Sequence, residues 1–245
     1  VLYRYLTATT LRFECLPGDY LVRIAANVGR SLGETADLFQ YKVTYQEHYN
    51  MLPMFCEQKT TISLSSDGVV QLPPITVKRV VSKISYNLTA KPADLELKSV
   101  QLISIPRTAV VFAPDGTAAD NPDDYTDSPE TTLTGQRAAG SYYMLPNRQG
   151  VNTSITDQKQ KNADNAPACA SWLLIRATRG SKVLAYSVYL GENNTSDFNV
   201  RANSHYTLNI TLLNDNTADT RIASYTATVY DDFDDGNIGS YCVYD

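Results

Sequence analysis

Apolar and polar residues alternate with a period of two along most of this chain. That is the periodicity of half-buried β-strands rather than of helices. Leu11, Phe13 and Cys15 fall on one face of a first predicted strand. Tyr20, Val22, Ile24 and Ala26 fall on one face of a second, after the turn Leu16-Pro17-Gly18-Asp19. Two dipeptides read as tight hairpins. Asp67-Gly68 lies between Ile62-Ser63-Leu64 and Val69-Val70, and both of its positions tolerate positive φ; Gly180-Ser181 lies between Trp172–Thr178 and Val183–Leu190. Further strands are predicted at Val80–Leu88, Leu95–Ile105, Tyr206–Leu212 and Tyr225–Tyr230. A short helix is predicted near Ser31–Phe39, with Ser31 as N-cap and Glu34 as its capping-box partner.

Between the strands lie two long polar stretches, Ala113–Gly140 and Val151–Pro167. Connections of that length in a compact domain usually carry function or move. Leu72-Pro73-Pro74 is the predicted domain boundary, because proline donates nothing to a ladder and two in a row form a stiff extended spacer. The chain therefore divides into a small β domain over residues 1–74 and a larger one over 75–245. The first is short for a complete sandwich, as though strands were missing before Val1.

Composition sharpens this picture. With 245 residues and 43% hydrophobic content, the chain has material for one large or two modest packed domains. Tyrosine is frequent, 17 residues, and suits antiparallel sheets in which the ring packs and the hydroxyl stays wet. A net charge of −5 lacks the basic footprint of a nucleic-acid binder. Nothing approaches 18 consecutive apolar residues, the least a membrane-crossing helix needs. The opening residues do not read as a secretory signal, and Arg-Phe-Glu before Cys15 is not a lipidation context. The expectation is a chain truncated before Val1, whether by natural processing, by design or by disorder of what precedes it.

No catalytic constellation emerges, so no catalytic, cofactor-binding or metal residue is assigned and no enzyme is expected. His48 and His205 have no partner at metal-ligand or triad spacing. Cys15, Cys56, Cys169 and Cys242 contain no C-x-x-C pair; their number allows two disulfides, and buried free thiols are the simpler reading. The acidic run Asp231–Asn237 fails as a calcium loop, since its third position is Phe233 and its twelfth is Cys242. Asp115–Asp127 is similarly rich in carboxylates without ligand spacing. Sequons occur at Asn87, Asn152, Asn194 and Asn209, the first and last inside predicted strands. Trp172, beside Leu173, Leu174 and Ile175, reads as core rather than as a sugar platform.

Several segments taken in order resemble the fimbrillin family of Bacteroidales, the subunits of strand-exchange pili. They are Leu16-Pro17-Gly18-Asp19-Tyr20 with Ala25-Ala26-Asn27; Val77–Ile84; Ser99-Val100 to Ile105-Pro106; Tyr142–Gly150; Tyr186–Gly191; and Asp197–Tyr206. Pro146 and Ala202 depart from the family's usual acidic and basic residues. The resemblance implies an all-β chain of two tandem transthyretin-like Greek-key β-sandwich domains, the first lacking its N-terminal strand or strands. It implies a precursor exported as a lipoprotein and held by a lipid anchor at the outer membrane of a Gram-negative bacterium. It also implies cell-surface display in a fimbrium. The partners implied are other fimbrial subunits or the chain itself, and a host or bacterial surface receptor.

Assembly by strand addition needs an extended donor with alternating faces. Ile222–Tyr230 has that pattern. Ile222, Tyr225, Ala227 and Val229 are the candidate donor residues, and an ordinary last strand of the domain would read the same. The expected function is a non-enzymatic fimbrial subunit or fimbria-associated adhesion protein. The alternative is a cell-surface glycan-binding sandwich, which would present exposed coplanar aromatics near Tyr142, Tyr143 or the Tyr41–Tyr49 loop.

Overall fold

The structure, a computed structural model, describes residues 12–28, 40–63 and 68–215, and the backbone of 223–230. Its strands are, in chain order, β1 (Gly18–Ala26), β2 (Lys42–Thr44), β3 (Met54–Ile62), β4 (Lys78–Arg79), β5 (Ser82–Ala90), β6 (Leu95–Ile103), β7 (Ile105–Pro106), β8 (Thr108–Val110) and β9 (Tyr125–Thr126). There follow β10 (Thr131–Thr132), β11 (Arg137–Met144), β12 (Asn147–Val151), β13 (Trp172–Arg179), β14 (Lys182–Tyr189), β15 (Asp197–Val200), β16 (His205–Leu212) and β17 (Ala223–Tyr230). No α-helix occurs among the described residues; one-turn 3-10 segments sit at Pro122–Asp124 and Gln158–Gln160. The chain is nearly all β, as the alternation predicts.

Two four-stranded sheets close on one core. Their orders are β11-β5-β16-β17 and β10-β6-β13-β14. The inward faces supply Ile84, Tyr86 and Leu88 from β5, Leu208 and Ile210 from β16, and Leu173 and Ile175 from β13, all buried. Every pairing in these two sheets is antiparallel except β5 with β16, which run parallel with His205 opposite Lys83. In β6 the register against β13 slips by one residue, so that Arg176 faces Ser99 and Ala177 faces Leu97. Lys98 is the extra residue. The slip lets Leu95 and Leu97 before it and Val100 and Leu102 after it all point inward. Two tyrosines in the core keep their hydroxyls bonded. Tyr186 donates to the Asn214 carbonyl at 2.7 Å, and Tyr206 accepts from the Arg201 amide at 2.9 Å.

The β13–β14 hairpin forms as predicted. Arg179 pairs with Lys182, leaving Gly180-Ser181 as a two-residue loop, and Gly180 takes a φ of +59°. Other expectations are corrected. Residues 12–16 form no strand and are exposed, Leu16 at 79%, so the predicted strand through Phe13 and Cys15 does not form over the described part; Leu11 lies outside it. The hairpin about Gly68 also fails. Val69 and Val70 are exposed and irregular, and β3 pairs instead with β1 and β4; Leu64 and Asp67 lie outside the described residues. An alternating pattern yields a strand only where a neighbour completes its hydrogen bonds and covers its apolar face. The Ser31–Phe39 helix falls outside the described residues. The stretch 113–140 proves to be pinned by β9, β10 and the start of β11.

Strand pairing crosses residue 74 twice. β2 pairs with β8, and β3 pairs with β4. A second apolar cluster lies at these crossings: Val43, Leu52, Val80, Val81, Ala109, Val111 and Leu145, flanked by Ala25, Phe55, Tyr49 and Tyr143.

Candidate assembly site

The three candidate donor residues that lie in β17, namely Tyr225, Ala227 and Val229, stand opposite Ile210, Leu208 and Tyr206 of β16. Ile222 lies outside the described residues. The backbone of β17 runs antiparallel to β16 over eight pairs, from His205 with Tyr230 to Leu212 with Ala223. It is the last strand of its sheet, and its outer edge has no ladder partner among the described residues. The other four-stranded sheet ends on β14, whose outer edge likewise has no described partner.

Just ahead of this strand the chain is fastened to the sandwich. The Leu212 carbonyl accepts the Lys91 amide at 2.9 Å. The Asn214 carbonyl takes the Tyr186 hydroxyl. Asp215 accepts from the Arg179 guanidinium at 2.9 Å and pairs with the Lys182 ammonium. Arg179 also reaches Asp94 at 2.8 Å. Hydrogen bonds from these cations hold the Asp94 and Asp215 carboxyls below the usual range.

At another place two polar loops, 152–170 and 191–196, are bound together by buried groups. The Lys161 side chain is buried, with its ammonium 2.7 Å from the Asn193 carbonyl and 5.1 Å from the centre of the Phe198 ring. Burial pushes its pKa down to about 7, against an opposing pull from Asp197. Asp197 accepts the amides of Glu192 and Asn199, each at 2.8 Å. Asn199 accepts the Gly150 amide at 2.9 Å, which ties β15 to β12. Buried Asn147 donates to the Cys169 carbonyl and to the Ser171 hydroxyl, each at 2.8 Å. Asn203, at a φ of +56°, accepts the Arg79 amide and donates to the Val81 carbonyl. Most of these side chains bond to backbone groups, so the network fixes the backbone of both loops.

His48 is exposed in its loop, and the His205 ring lies 2.8 Å from the Ser85 hydroxyl. No group of three or more metal-ligating side chains comes together among the described residues. Asp115 and Asp127 accept the amides of Ala202 and Ser104. Cys56 and Cys169 are buried free thiols and Cys15 is an exposed one; burial pushes the first two up. Cys242 and Asp231–Asn237 lie outside the described residues. Asn87 donates to Asn209 at 2.9 Å across the β5–β16 pair. Trp172 stacks on Tyr189 at 5.8 Å beside Phe198, the packing role expected of it. The tyrosines of the glycan-binding alternative pack on their neighbours. Tyr143 meets Tyr49 edge to face at 6.4 Å, and Tyr142 lies against Tyr86 with its hydroxyl on the Val100 carbonyl.

Sequence reasoning missed Lys161 and the fastening at Asp215. The first had no signal in sequence, because the lysine's acceptor is a backbone carbonyl far along the chain. The second had none either, because its members come from three separate stretches of the chain.

A family model described as a domain of unknown function (DUF4906) matches residues 142–210, which hold the Asn147–Asn199 network and end before β17. No curated protein matches the chain. Solved structures do. A candidate cell adhesion protein from Parabacteroides distasonis ATCC 8503 aligns with a TM-score of 0.59 at 16% identity, over 87% of this chain and 76% of that one. One from Bacteroides eggerthii DSM 20697 gives 0.56 at 12% identity, over 85% and 76%. A fimbrilin (fimA) from Porphyromonas gingivalis W83 gives 0.54 at 15% identity, over 86% and 80%. The structural neighbours are thus candidate adhesion proteins of Bacteroidales and a fimbrilin, and this chain has their fold.

Proposed function

We propose that the chain is a fimbria-associated cell-adhesion subunit that works by assembly and binding rather than by catalysis. Its partners are other fimbrial subunits or further copies of itself, with a surface receptor as target. Its place is the cell surface, reached through a precursor whose lipid anchor holds it at the outer membrane. The fold shared with a fimbrilin supports the setting. The observation that carries the assembly step is the position of β17. Among the described residues it is the last strand in the chain, lies at a sheet edge and is laddered to β16 alone.

Such a strand meets the physical requirements of a donor. Its backbone groups pair as well with a neighbour's open edge as with β16, and alternate side chains give register. An edge left open is a liability that a partner removes. Deleting Ile222–Asp245 is the test. The expected result is loss of multimers with partner subunits while residues 1–221 remain folded by circular dichroism. Undiminished multimers from the shortened chain would remove strand addition through this segment.

A further inference from the structure

We propose that the cluster Asp94–Arg179–Asp215–Lys182, together with the Tyr186–Asn214 bond, is a latch. It fixes the chain at Asp215 so that β17 can part from β16 without opening the sandwich. The proposal deepens the strand-addition reading and rests on it for its purpose, though not for its measurement.

The geometry is specific. Arg179 and Lys182 flank the Gly180-Ser181 turn, so both cations stand at one end of the β13–β14 hairpin. That hairpin belongs to the sheet opposite the one that holds β16 and β17. Asp215 follows the end of β16 by three residues and bridges the two cations, one oxygen to each. The guanidinium spends its Nε on Asp94 and an Nη on Asp215, so Asp94, just ahead of β6, braces the arginine in place. Two positive and two negative groups balance. Lys182 and Asp94 stand 62% and 63% exposed, so the hold rests on the Arg179–Asp215 bond, whose Asp215 side chain is 17% exposed, and on buried Tyr186.

The consequence is mechanical. Residues 212, 214 and 215 are held by groups from residues 91, 186, 179 and 182, and none of these belongs to β17. Holding the last turn of chain after β16 prevents fraying from running back into the strand. Its inward residues Leu208, Ile210 and Leu212 then keep their cover from the opposite sheet. Local opening units in proteins end where such fixed contacts begin. Here the boundary falls at Asp215, between the sandwich and the segment that leads to β17.

Native-state hydrogen exchange on the full chain, read by NMR on the amides of β17 and on those β16 amides that bond to β5 (the β16 rates meant below), tests this. In the unaltered chain β17 is expected to exchange at least ~10-fold faster than β16, as separate opening units do. In Asp215→Asn, and in Arg179→Gln, exchange of β16 is expected to rise toward that of β17. Glu96→Gln, which breaks the Glu96–Lys98 surface pair outside the cluster, is expected to leave it unchanged. Equal exchange of β16 and β17 in the unaltered chain overturns the latch, as does an unmoved β16 in both cluster variants. The readout is independent of assembly. Failure of the strand-addition reading shows in the multimers of the shortened chain, and failure of the latch shows only in these rates.

Discussion

At the scale of single residues, Lys161 is the side chain whose energetics stand furthest from its ordinary state. An ammonium held beside a carbonyl and a ring, away from water, costs solvation that one hydrogen bond and the pull of Asp197 only partly offset. Its folded pKa of about 7 lies below that of an unfolded lysine. Between those values the unfolded chain binds the extra proton, so stability rises as pH rises through that window and is flat below it. The slope is at most ~1.4 kcal/mol per pH unit. Tyrosines such as Tyr86, whose hydroxyl burial pushes up to about 12, act in the opposite direction once unfolded tyrosine ionises near pH 10. Buried Cys56 and Cys169 act the same way once unfolded thiols ionise near pH 8.5, so the clean window is pH 7 to about 8. Denaturant unfolding across it is expected to show increasing stability in the unaltered chain and a flat profile in Lys161→Met. A rising profile in Lys161→Met would place the titration elsewhere. Gly191 belongs to the same site: a Cβ there would sit 1.8 Å from the Asp197 carbonyl oxygen, so only glycine lets the start of the 191–196 loop pass this close to the start of β15. None of this was legible in sequence, since the lysine's acceptor is a backbone carbonyl 32 residues away.

At the scale of elements, what sequence made legible was whatever local geometry decides. Gly180-Ser181 announces its turn because the positive φ sits on the glycine, and the two strands are contiguous. The parallel pairing of β5 with β16 joins residues more than 100 positions apart, and no alternation rule selects it. The same blindness explains why alternation gave no strand at residues 12–15 or at Val69-Val70, where neither segment joins a ladder of the described strands. The inward face of β6 is a subtler case. A period of two over Leu95–Ile103 cannot place Leu95, Leu97, Val100 and Leu102 together; only the extra residue Lys98 does so. Lys98→Ala keeps the bulge and is expected to change stability by less than ~0.5 kcal/mol, as exposed positions usually do. Deleting Lys98 leaves either the first or the second apolar pair facing water. Each displaced side chain forfeits ~1.5–3 kcal/mol, enough together to consume much of a domain's net stability. Thermal unfolding followed by circular dichroism distinguishes the two variants. Equal melting temperatures would mean that β6 does not use Lys98 to change phase.

At the scale of the whole molecule, the question is where the chain can be divided. Leu72-Pro73-Pro74 looked like a boundary because proline interrupts ladders, and the segment there is indeed irregular. Yet β2 joins β8 and β3 joins β4 across it, and Val80, Val81, Val111 and Leu145, all fully buried, sit at that junction. A piece beginning at residue 75 would strip Val43, Leu52 and Phe55 from these side chains and leave the β8 edge unpaired. A piece beginning at residue 41 would keep them. The fragment 75–245 is therefore expected to melt several degrees below 41–245. A loss of ~2 kcal/mol corresponds to ~4–8 °C in a chain of this size. It is also expected to bind hydrophobic dye at temperatures where 41–245 does not, because an uncovered apolar patch of this kind is sticky. Calorimetry of the full chain carries the same logic further. If the junction couples the two sides, the described strands unfold in one transition, with no separate low-temperature peak for residues before 74. Two resolved peaks, or a 75–245 fragment as stable as 41–245, would support the proline pair as a working boundary and reduce the junction to a contact between independent units.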